Sequence, residues 1–142
     1  MSVEIVKVLI LLSGIAHIVL SVVSSVIPKA LKWKEGLQDL QPLLRQMFWT
    51  YAAYILVINF CFGLVSIFGT AELVNHSFLA KSVNLFIAVY WLARVFIQFF
   101  YFDKTDAPKG LIFTLGEVAL VGLFIGFTIV YSLAFLYNMS WI

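Results

Sequence analysis

Three side chains in this sequence could carry a charge or a proton in otherwise apolar surroundings: His17, Arg94 and Glu117. Each stands well inside a long hydrophobic stretch. An unpaired charge at the centre of a bilayer costs about 2.5–3.5 kcal/mol on insertion scales. Such residues therefore face a bundle interior and mark binding, proton exchange or helix registry. The chemistry each could do is distinct. Arg94 could hold an anionic or carbonyl oxygen through its fork of N–H donors. Glu117 could orient that arginine or exchange a proton. His17 could donate or accept a hydrogen bond, or act with Glu117 as an acid–base pair.

Neighbouring polar residues fall on the same faces. Asn84, Trp91, Arg94 and Gln98 recur at helical spacing, as do Ser13, His17, Ser21 and Ser24. Asn59, Gly63 and Ser66 line one side of another stretch, and Thr114, Glu117, Thr128 and Tyr131 approximate a stripe on the last. Lipid cannot satisfy polar groups, so these stripes are expected to converge inside a bundle. The candidate ligand-binding set is His17, Arg94, Glu117, Asn59, Trp91 and Gln98.

Two readings account for the central three. A buried Arg94–Glu117 ion pair that fixes helix register needs nothing more. Removing one partner of such a pair typically costs about 3–5 kcal/mol. A ligand pocket would use His17 as well, which an ion pair does not need.

The elements that must position these residues are legible from hydropathy. Four stretches, about Val3–Ile27, Phe48–Phe68, Phe78–Phe102 and Leu111–Tyr137, each reach the roughly 20 apolar residues that cross a hydrocarbon core. The first is longer than the apolar region of a signal peptide and holds a histidine, so it is read as a span. Arg94 and Glu117 lie at similar distances on either side of a turn expected near Thr105–Asp106, which predicts equal depth. His17 is expected near the same level.

Composition agrees. The chain has 142 residues, 63% hydrophobic and only 11% charged, against roughly half and a quarter in soluble domains. A water-soluble fold could not hide that much apolar surface. The fold class is therefore all-α: one domain, 1–142, a polytopic membrane protein with a four-transmembrane-helix bundle.

Between the first two spans, Trp33, Leu37, Leu40, Leu44 and Met47 recur every three or four residues, with Lys32, Lys34, Asp39 and Arg45 on other faces. That pattern predicts an interfacial amphipathic helix, broken or kinked near Pro42. Lys29, Lys32, Lys34 and Arg45 in the first loop, with Lys104 and Lys109 in the third, oppose only Lys7 and Lys81. The positive-inside rule then places the loops in the cytoplasm and both termini outside.

Other chemistries lack their residues. The net charge of +2 comes with no basic cluster, so no nucleic-acid partner is expected. No metal-ligand cluster, phosphate loop or Cys-x-x-Cys is present. His17 and His76 are expected at different depths, which disfavours a bis-histidine haem. The single cysteine, Cys61, reads as a packing residue. Gly122 and Gly126 form a G-x-x-x-G that suits close helix approach, within the bundle or between chains. Asn75-His76-Ser77 and Asn138-Met139-Ser140 match the glycosylation pattern but hug the membrane and are read as chance.

Gly14-Ile15-Ala16-His17, then Val26-Ile27-Pro28-Lys29-Ala30-Leu31-Lys32-Trp33, then the run from Leu40 through Pro42 and Trp49 to Tyr51, resembles small four-helix bacterial membrane proteins similar to the DoxX-like group. The likeness covers roughly the first half of the chain. It implies four helices, a bacterial cytoplasmic membrane and, as in some members, a link to quinone-coupled redox chemistry. No catalytic motif of that group can be placed on these residues.

The functional expectation is a binding or accessory subunit with an intramembrane polar pocket for a quinone or other lipid-like small molecule. No other cofactor is evident. A membrane enzyme using His17 and Glu117 on a lipid-soluble substrate is the first alternative, and a structural scaffold subunit the second. The expected partners are the lipid bilayer and a membrane-protein subunit or a second copy of the chain.

Overall fold

The computed structural model describes residues 2–102 and 110–142, and among these the chain is helical with no strand. In chain order the helices are α1 (Val3–Ser24), two single turns α2 (Ile27–Ala30) and α3 (Trp33–Gly36), then α4 (Pro42–Phe68), α5 (Phe78–Phe100) and α6 (Leu111–Asn138). A 3₁₀ turn, Glu72–Val74, joins α4 to α5. Four of these helices, with 22, 27, 23 and 28 residues, are long and apolar enough to cross a membrane. The expected turn at Thr105–Asp106, with Lys104 and Lys109, lies outside the described residues.

Local chemistry sets the helix ends. Ser2 accepts a hydrogen bond from the Ile5 amide and caps α1, and Ser77 does the same for Ala80 at the start of α5. Pro28 sits in the first turn of α2, so α1 stops at Ser24 rather than continuing to Ile27. Lys32 adopts a left-handed φ of 54°, which separates α2 from α3. The segment expected to form one amphipathic helix is thus two short turns. Trp33 packs edge-on against Phe48 there, with ring centroids 5.1 Å apart. Pro42 does not break a surface helix. It opens α4, six residues before the expected start of the second span, because its missing N–H and fixed φ suit a first helical position.

α1 packs mainly on α4 and α5 mainly on α6, and the two pairs join chiefly through α1 and α6. The α1–α4 contact is a close backbone approach. A methyl group added at Gly14 would come within 2.8 Å of the Ser66 Cβ, and one at Gly63 within 2.7 Å of the Ile18 Cδ1. The glycine pair that spacing singled out behaves differently, since Gly122 and Gly126 on α6 face open space. The core is aromatic. Trp91, Phe124, Phe127 and Tyr131 cluster with Leu20, Ile87 and Ala88. Val6 and Ile10 meet Leu73, Val74 and Ala134 towards the end that carries the termini. Outside this core, large apolar side chains such as Leu12, Tyr54, Phe86 and Leu115 are exposed. Water would not tolerate such a surface, whereas lipid would.

Candidate functional site

His17 is fully buried on the inner face of α1, with Ser13, Gly14, Leu20 and Ser21 buried around it. Both ring nitrogens are engaged. The Trp91 indole N–H donates to His17 Nε2 at 2.9 Å. An indole nitrogen can only donate, so Nε2 must be the acceptor and Nδ1 carries the proton. Nδ1–H then donates to the Ser13 carbonyl at 2.7 Å. The ring stacks on Phe127 with centroids 3.8 Å apart, and Phe62 and Tyr131 present edges at 5.9 and 5.8 Å. Close by, the Tyr131 and Ser66 hydroxyls share a hydrogen bond of 2.5 Å between α6 and α4. Residues from all four long helices meet at this imidazole. It is a satisfied pin with no nitrogen left for a ligand or a proton relay.

Arg94 belongs to a different group. It lies six residues before the end of α5, and Glu117 lies six after the start of α6, about 9 Å into each helix. Equal depth was legible from the sequence, but the direct ion pair is replaced by a bridge. Arg94 Nη1 donates to Gln98 Oε1 at 3.1 Å, and Gln98 Nε2 donates to Glu117 Oε1 at 3.4 Å. All three side chains are half-buried. The guanidinium also sits over two aromatic faces, 4.9 Å from the Phe102 centroid and 5.1 Å from that of Phe124. Those faces offset part of the cost of desolvating the cation.

The single polar layer therefore divides. Phe124, beneath Arg94, stacks on Trp91 at 4.8 Å, and Trp91 is the residue that holds His17. An aromatic wall separates the histidine from the arginine. Trp91 belongs to the His17 pin, and Gln98 to the Arg94 group. Asn59 forms a third point of contact. It is 7% exposed, and its Oδ1 accepts from the Tyr90 hydroxyl at 3.2 Å, linking α4 to α5 one turn from Arg94.

Sequence reading missed Tyr90, Phe102 and Phe124. Two of these had a signal. Tyr90 stands four residues before Arg94 and Phe124 seven after Glu117, so each shares a helix face with a charged residue. Aromatic residues are so common in this chain that the spacing alone did not single them out.

The opposite end of the bundle holds a knot of amides. Asn138, 1% exposed, donates to the Leu73 and Ala134 carbonyls at 2.7 and 2.8 Å and accepts from the His76 amide at 2.8 Å. Asn84 donates to the same Leu73 carbonyl at 2.9 Å. These bonds tie the α4–α5 connection to α5 and α6. Among the described residues no three His, Cys, Asp or Glu side chains gather as metal ligands.

Compared with protein-family models, curated proteins and solved structures, the chain matches none.

Proposed function

We propose that this chain is an integral membrane protein whose Arg94–Gln98–Glu117 group holds the polar head of a lipid-like molecule, a quinone or another amphiphile with a carbonyl or anionic head. One observation carries the reading. Among the described residues Arg94 makes one side-chain hydrogen bond, to Gln98, and is steadied by two aromatic faces, which leaves N–H donors to offer a ligand. A guanidinium about 9 Å inside an apolar helix end, with no direct carboxylate contact among the described residues, is suited to an incoming oxygen. In this reading Glu117 acts on the ligand through Gln98, and His17 and Trp91 hold the helices that carry the group.

The positive-inside count and the likeness to DoxX-like proteins extend the proposal to a bacterial cytoplasmic membrane, with the α2–α3 segment on the cytoplasmic surface and both termini outside. The exposed apolar faces fit contact with lipid, a partner subunit or a second copy. Because both nitrogens of His17 are hydrogen-bonded, we place the binding reading ahead of the alternative of an enzyme using His17 and Glu117.

The test is native mass spectrometry of gently extracted protein with and without Arg94→Gln. A hydrogen bond to a charged group contributes about 1.5–3 kcal/mol, so the variant should retain co-purified amphiphile at least about tenfold less well. Equal retention by both proteins overturns the proposal.

A further inference from the structure

The connection between α1 and α4 combines surplus positive charge with bare apolar surface. Lys29, Lys32 and Lys34 are exposed, and Arg45 stands half-buried in the first turn of α4. Only two acids, Glu35 and Asp39, share the segment, so cations are in excess. None of the three lysine side chains makes an ion pair or a hydrogen bond among the described residues. Their charge is not spent inside the protein.

Packing gathers these cations at the end of the bundle opposite the termini. α1 stops at Ser24, and the single turn α2 then presents Lys29. After the left-handed Lys32, Trp33 packs on both Phe48 and Trp49, with ring centroids 5.1 and 5.9 Å apart. That contact holds Lys32 and Lys34, the sequence neighbours of Trp33, beside the first turns of α4. Arg45 ties the segment down from the other side, its Nη1 donating to the Gln38 carbonyl at 3.3 Å. The lysines are thus fixed around the ends of two long apolar helices rather than trailing on a free loop.

The side chains interleaved with them identify the partner. Val26, Leu31, Leu40, Leu43 and Leu44 are between 39% and 65% exposed. A nucleic acid or an acidic protein would answer the charges and leave these side chains in water. A bilayer surface answers both. Apolar side chains enter the acyl boundary, tryptophan rings sit at headgroup level, and lysine stems reach out to the phosphates. A zwitterionic lipid has no net charge to set against the surplus cations, whereas an anionic lipid does.

We propose that the α2–α3 segment and the first turn of α4 form a binding surface for anionic phospholipid. Headgroup phosphates rest on Lys29, Lys32 and Lys34, and the neighbouring leucines enter the acyl region. This surface needs nothing from the Arg94 group and stands whether or not that group holds a ligand.

The test is native mass spectrometry of the full chain in a neutral detergent, titrated with phosphatidylglycerol or with phosphatidylcholine of the same acyl chains. Each cation near an anionic lipid surface contributes roughly fivefold in affinity, so the wild-type protein should bind phosphatidylglycerol at least about tenfold more tightly. Lys29→Gln/Lys32→Gln/Lys34→Gln should lose at least about tenfold in phosphatidylglycerol affinity and keep its phosphatidylcholine affinity. Its unfolding midpoint should match that of wild type, because all three side chains are exposed and unpaired. Lys7→Gln/Lys81→Gln, at the opposite end, should keep the preference.

Equal binding of the two lipids by the wild-type protein overturns the proposal, as does an undiminished preference in the triple lysine variant. A preference lost in Arg94→Gln but kept in the lysine variant moves the anionic lipid to the Arg94 group, so this proposal falls while the head-group reading stands. Salt gives a check that needs no variant. Exposed charges are screened, so the wild-type preference should shrink as ammonium acetate rises from about 0.05 to about 0.5 M, and a preference indifferent to salt overturns the proposal. Excess inorganic phosphate should not displace the lipid. Displacement would make the segment a site for free anions and overturn the lipid assignment.

Discussion

Replacing His17 by Phe separates a structural pin from a ligand contact. Phenylalanine keeps a ring against Phe127 but removes the acceptor for the Trp91 indole, which is 1% exposed. Stranding a buried donor costs about 1–3 kcal/mol. Interhelical hydrogen bonds measured in a membrane protein average about 0.6 and reach about 1.7 kcal/mol, because chains unfolded in lipid also find partners. The Trp91 bond, at 2.9 Å and out of reach of solvent, belongs in the upper part of that range. His17→Phe should therefore destabilise the protein by about 1–2 kcal/mol. Trp91→Phe should add a packing loss of its own. In the double variant no indole N–H is left stranded, so the two effects should fall short of their sum by about 1 kcal/mol. Reversible unfolding in mixed micelles, followed by circular dichroism as dodecyl sulfate rises, gives the four free energies of the cycle. A coupling below about 0.3 kcal/mol, the scatter of independent sites, would refute the reasoning. So would a His17→Phe protein of normal stability that no longer holds amphiphile, since that outcome would return His17 to the binding site.

Three further outcomes follow from the packing. Gly14→Ala should lower stability by about 1–3 kcal/mol through overpacking against Ser66 and Ile67, while Gly126→Ala, facing open space, should cost nothing. The unfolding midpoints of the two variants decide it, and equal midpoints would mean that α1 and α4 are not in close contact. Tyr131→Phe should leave the fully buried Ser66 hydroxyl without its partner and cost about 1–2 kcal/mol, with Ser66→Ala on the same background restoring part of the loss. Asn138→Ala frees the Leu73 carbonyl from one of its two amides and the His76 amide from its acceptor. It should speed hydrogen exchange in residues 72–77 well before it lowers global stability, and exchange that rises evenly along the chain would contradict that local role.

The sequence by itself determined four long apolar helices, because the number of consecutive apolar residues needed to cross a bilayer is a length, and length is read directly from a chain. It also determined that Arg94 and Glu117 share a depth, because residues equally far from a tight turn rise equally along antiparallel helices. Helix boundaries were less secure where proline could either break or begin a helix, as Pro42 shows: its effect depends on whether an upstream turn needs its missing N–H. The tertiary structure alone decided which polar residues meet. A stripe on a helix specifies a face but not its rotation relative to three other faces, so His17 could be assigned a depth but not a partner. Trp91 took its acceptor, Phe124 closed the path to Arg94, and Gln98 came between the arginine and the glutamate. Likewise, no spacing rule could show that Gly14 and Gly63 meet while Gly122 and Gly126 do not, or that α4 and α5 stand apart. Those are outcomes of side-chain volume summed over the whole bundle.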